Sequence, residues 1–74
     1  MAKNKSKDSV YKVVEVIGTS TKSWAEAGRK AVETASGTLR DLRVAEVVKL
    51  DMTVENGKVS AYRARVALSF KYGS

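Results

Sequence analysis

The side chains that could do chemistry in this chain are few. Its 74 residues include no His, no Cys and no Pro. Those absences remove the Ser-His and Cys-His nucleophile pairs, the ordinary zinc sites and any disulfide scaffold. What remains is carboxylate, amine and aromatic chemistry. Asp41, Glu46, Asp51 and Glu55 are the candidate cation ligands, though none lies in a dense loop motif such as an EF-hand. Lys49, Arg63, Arg65 and Lys71 are the candidate anion ligands. Tyr11, Tyr62 and Tyr72 are most simply strand packing, and Trp24, the one Trp, stands as a core or interface anchor. No acid, base and nucleophile fall together, so an enzyme is the least supported class.

Length and charge bound the rest. Seventy-four residues make at most one small domain. The net charge is +6. Residues 1–9 hold Lys3, Lys5 and Lys7 against Asp8 and carry two of those charges. They are polar and aperiodic, which predicts a disordered basic tail ahead of a single domain over 10–74. The other positive charge is spread along the chain, which argues against a nucleic-acid stripe. No apolar run is long enough for a membrane span, and no apolar stretch succeeds the N-terminal lysines as a secretory signal would require. The expected location is the cytoplasm.

The elements that must position these groups read as β-α-β-β. Val10 to Ile17, VYKVVEVI, is β-branched and predicts a strand with apolar residues on both faces, ended by Gly18-Thr19-Ser20-Thr21. Trp24, Gly28, Ala31, Ala35, Leu39 and Leu42 recur at spacings of three and four and predict one narrow helical stripe. Ser20 could cap its first turn, or Ser23 with Glu26 could form a capping box. Gly28 and Gly37 would each weaken that helix by about 1 kcal/mol, a cost that suggests a close backbone approach or a surface where a side chain would clash. Arg43 to Val54 and Val59 to Tyr72 alternate as strands. In the first, Val44, Val48, Leu50, Met52 and Val54 share a parity, and Glu46 falls on it.

Asn56-Gly57 marks a hairpin. A two-residue turn would set Leu50 against Arg63. A three-residue loop with a left-handed Gly57 and a bulge would set Leu50 against Tyr62 and Val48 against Ala64, so the apolar faces agree. The bulged form is therefore expected. The first two strands, joined through a helix, are expected to run parallel with a right-handed crossover. The whole is an α+β fold, a three-stranded, mainly antiparallel sheet packed on one helix. One helix over such a sheet buries little apolar area, and nothing covalent compensates, so oligomerisation is expected. The alternative is a monomer with one wet sheet face.

The phrase VYKVVEVIGTS, the helix, TLRDLRVAEV and the hairpin ending VALSFK together resemble the dodecins, from about Val10 to Lys71. The resemblance implies a hollow homododecamer with ligands at subunit interfaces. In flavin-binding members a Trp comes after the helix and stacks on the flavin, and a Gln in the last strand bonds its edge. Val44 and Arg63 stand at those positions here, so the resemblance argues against flavin. SVYKVVEVIGTS, SWAEA, RVAEV and LDMTV are similar to the calcium dodecin branch, which implies a shell holding calcium or another small ligand. Glu46 and Asp51 are the candidate metal residues under that resemblance. A symmetry axis could repeat one carboxylate into a site. Alternatively, Glu46 pairs with an arginine across an interface and Asp51 with its basic neighbours. A basic oligomer binding nucleic acid or another anionic partner is the competing function. A shell without any ligand is the third.

Overall fold

The computed structural model describes residues 10–72, so the expectations for the tail over 1–9 and for the last two residues lie outside it. The elements are β1 (Val10–Ser20), α1 (Trp24–Ser36), β2 (Leu42–Glu55) and β3 (Lys58–Tyr72). They form one three-stranded sheet in the order β1-β3-β2, with antiparallel neighbours throughout. β1 and β2 do run in the same direction, as the helical connection implies, but they are not neighbours. β3 lies between them, because the short hairpin brings it back against β2 and its other edge then accepts β1.

β1 does not stop at Ile17. It continues through Gly18 and Thr19 to Ser20, which pair with Ala64, Arg63 and Tyr62. Gly18 is there for space rather than as a turn. A Cβ on it would sit 2.0 Å from the Ala27 carbonyl oxygen. This is where the helix presses on the sheet, whereas a Cβ at Gly28 would meet Ala64 at 3.9 Å, an ordinary contact. Gly28 is therefore not the point of closest approach.

Both candidate cap serines act, in sequence. The Ser20 hydroxyl accepts the backbone N–H of Lys22 at 2.9 Å and of Ser23 at 3.3 Å, which turns the chain out of β1. Ser23 then caps α1, its hydroxyl accepting the Glu26 N–H at 3.0 Å. The capping box is half formed. The Ser23 N–H is taken by Ser20, and the Glu26 carboxylate instead lies 3.8 Å from Lys30. The helix ends at Ser36, earlier than the stripe implies. The N–H groups of Thr38 and Leu39 both donate to the Ala35 carbonyl. Leu39 and Leu42 lie beyond α1 yet still pack against its core residues. Asp41 takes a left-handed φ of 57° and directs the chain into β2.

The hairpin departs from the expected form. Asn56 and Gly57 both have positive φ, 54° and 75°, and make a two-residue turn that pairs Glu55 with Lys58 and Val54 with Val59. The bulge lies one step later, at Ser60, so that Met52 faces Tyr62 and Leu50 faces Ala64. The apolar faces agree, as expected, but by a bulge in β3 rather than a longer loop. Further irregularities at Val48 and Arg43 shift β2 against β3. The one at Val48 turns Val44 and Glu46 onto the same face as Lys49 and Asp51, because an extra residue reverses the parity between the stretches on its two sides. Glu46 is therefore not on the apolar face.

The core is small. Ala27 and Ala31 of α1 meet Ala64, Val66 and Leu68 of β3. Ala27, absent from the expected stripe, is fully buried, whereas Trp24 is 36% exposed. The thirteen residues of α1 span about 20 Å, whereas the fifteen of β3 span about 50 Å. The helix lies over β1 and β3. On the same side of β2, Val47, Leu50 and Met52 stay exposed.

Candidate functional site

The face of the sheet away from α1 carries the polar chemistry. Directly opposed residues share a face, so the register defines its rungs. Thr19, Arg63 and Asp51 form one rung, Ile17, Arg65 and Lys49 the next, then Glu15, Ala67 and Glu46, then Val13, Ser69 and Val44. This ordering places the sequence-predicted residues Val44, Glu46, Asp51 and Arg63 on one surface.

Asp51 and Arg63 are tied together. Arg63 Nε and Nη2 donate to the two carboxylate oxygens of Asp51 at 2.7 and 2.9 Å, a bidentate pair. The Arg63 hydrogen bonds hold the Asp51 carboxyl below its ordinary value, and the charges of Arg63, Lys49 and Arg65 act in the same direction. The same bonds raise Arg63. The backbone beneath this pair is held from the other face. The Trp24 indole N–H donates to the Asp51 carbonyl oxygen at 3.0 Å, and its ring meets Tyr62 edge-on with centroids 5.0 Å apart. Trp24 thus links the start of α1 to β2, which the rest of the helix barely touches.

Val44 and Arg63 are not neighbours within one chain. Their rungs are six β3 residues apart, at Ser69 and Arg63, a separation of about 20 Å along the strand. Two copies would be needed to bring such positions together. Both Asp51 carboxylate oxygens accept from Arg63, so a cation bound there would compete with the guanidinium. Glu46 faces Glu15 across Ala67, and Glu15 is a carboxylate that sequence reasoning missed. Its partner on the face is legible only once the β2 register is known. Asp41 lies 4.0 Å from Arg43, and Glu55 closes the hairpin. Among the described residues no three carboxylates converge. Calcium takes six to eight oxygens, and the described residues of one chain do not gather them from carboxylates alone.

A second concavity lies between β1 and α1. It is an open trough of about 640 Å³ floored by Val14, Val16 and Gly18 and walled by Ala31, Ala35 and Leu39. Thr34, Thr38 and Lys30 add polar groups to its lining. Among the described residues no helix is long and apolar enough to cross a membrane.

The dodecin family model matches residues 10–73. The calcium dodecin of Mycobacterium tuberculosis is 44% identical over 63 residues, covering 85% of this chain and 89% of that one. The crystal structure of that calcium-chelating antigen, described as having a novel calcium-binding site, superimposes with a TM-score of 0.77 at 45% identity, over 88% of this chain and 93% of the other. Dodecin from Streptomyces coelicolor superimposes with a TM-score of 0.83 at 36% identity, over 90% and 96%. With a β-α-β-β sheet in this order, and with likeness in both sequence and backbone over nearly its whole described length, this chain belongs to the dodecin family.

Proposed function

We propose that the chain assembles into a hollow homododecamer, a non-enzymatic cytoplasmic shell that binds or sequesters a small ligand or ion at subunit interfaces, with calcium favoured over flavin. The observation that carries assembly is the uncovered stripe of Val47, Leu50 and Met52 beside a core of three alanines, Val66 and Leu68. A domain this thinly packed gains apolar burial by meeting further copies. Membership of the family supports the same reading.

The ligand preference rests on side chains. At the positions that resemble the flavin-contacting pair, Val44 offers no aromatic surface and Arg63 has its guanidinium engaged by Asp51. Calcium is supported by the calcium dodecin relative and by Glu46 and Glu15, which repeated copies would multiply into a ligand set. The competing reading, an oligomer binding nucleic acid, draws support from the Lys49–Arg65 rung. It lacks a stacking platform, because Tyr11 is the one aromatic residue on the open face among the described rungs.

Native mass spectrometry of the purified protein tests the proposal. Twelve subunits with excess mass removable by a calcium chelator are expected. Leu50→Asp should dissociate the shell while leaving a folded chain. A wild-type monomer or dimer would refute the assembly, and a flavin mass would refute the ligand preference.

A further inference from the structure

We propose that Lys49 and Arg65 form an anion site for a phosphoryl group on the open sheet face. The two residues lie directly opposite each other on β2 and β3, and both are exposed. Like charges directly opposed across strands destabilise a sheet. Here no ion pair among the described residues takes up either charge. The ion pairs among the described residues join Arg29 to Glu33, Lys30 to Glu26, Arg43 to Asp41 and Arg63 to Asp51. None includes Lys49 or Arg65. Asp51, one rung away, feels both charges, but its two oxygens are bound by Arg63. Glu15 and Glu46 stand one rung away on the other side, separated by Ala67.

A planar guanidinium beside a mobile ammonium matches a tetrahedral oxyanion. The fork contacts two oxygens, the amine a third, and a dianion neutralises both cations. Ile17, on the same rung and 47% exposed, supplies an apolar flank on which the organic part of a phosphate monoester could rest. The site is complete within one chain, so it does not depend on the assembly or the calcium proposed above.

The test compares wild type, the double variant Lys49→Gln/Arg65→Gln and Lys58→Gln, at low ionic strength and with chloride as the control salt. Calorimetric titration with inorganic phosphate should show binding to wild type and Lys58→Gln, weakened at least about tenfold in the double variant. Without phosphate the double variant should melt no lower than wild type, because a repulsion has been removed. Adenosine 5′-monophosphate and adenosine distinguish the sources. Tighter binding of the nucleotide than of phosphate, with none of adenosine, assigns a monoester, and equal binding assigns free phosphate. The proposal is overturned if phosphate acts no differently from chloride, or if it binds the double variant as well as wild type. Loss of the oligomer in the double variant, with no phosphate effect on wild type, would also overturn it and assign the pair to a subunit contact. An unchanged subunit count and calcium content would separate the outcome from the fate of the calcium shell.

Discussion

The two faces of this sheet are held by opposite means. The face under α1 is held by closeness. Gly18, Ala27, Ala31 and Ala64 let a helix lie against strands, with Leu68 and Val66 filling the space beyond. The open face is held by charge, with Asp51 and Arg63 locked together beside the like-charged Lys49–Arg65 rung. The packed face tolerates almost no change in volume, because interiors are dense and steric. The open face tolerates substitution, because solvent screens what its charges do. Close steric packing and paired charge thereby lie on different sides of the same three strands.

The largest effect should come from filling the closest approach. Gly18→Ala places a methyl group against the Ala27 carbonyl and should cost about 3 kcal/mol or more, read as a lowered denaturation midpoint. A change below about 0.5 kcal/mol would mean that the helix is not seated there. A smaller effect, about 1 kcal/mol, is expected for Ser23→Ala, which removes the cap on the Glu26 N–H. If Ser20 dominates the turn instead, Ser20→Ala will cost more than Ser23→Ala.

The smallest effect belongs to the open face. Arg63 lowers the pKa of Asp51 in the folded chain. The pair's contribution is therefore present above the unfolded carboxyl value and is lost as pH falls through the lower, folded value. Asp51→Asn should accordingly be less stable than wild type at neutral pH, with the difference closing on acidification below the ordinary value of 3.8. Melting curves across that range check the sign. A difference independent of pH would show that Asp51 matters through packing or its backbone alone.

Much of the chain's organisation is legible from alternation and turn chemistry. Tyr62 to Tyr72 keep one phase over β3, and Asn56-Gly57 locates the turn, although its two-residue type, with both residues at positive φ, departs from the bulged loop that the alternation suggested. These features are local, each set by one residue's own backbone preference or by its neighbours two positions away. The identity of the charged groups, and hence the exclusion of His- and Cys-based chemistry, is local in the same sense. What sequence could not decide is which residues meet. Glu46 has the parity of the apolar face along the chain, but a bulge at Val48, which leaves no mark on composition, reverses the side chains from Val44 to Val47. Gly18 has the sequence context of a turn, because the helix that demands its missing side chain arrives from nine residues further along the chain. Asp51 and Arg63 could be named, but their two-point bond, and the bare Lys49–Arg65 rung beside it, exist only through the register of β2 on β3. Register is a sum over a whole interface rather than a property of any residue, so only the tertiary structure could determine it.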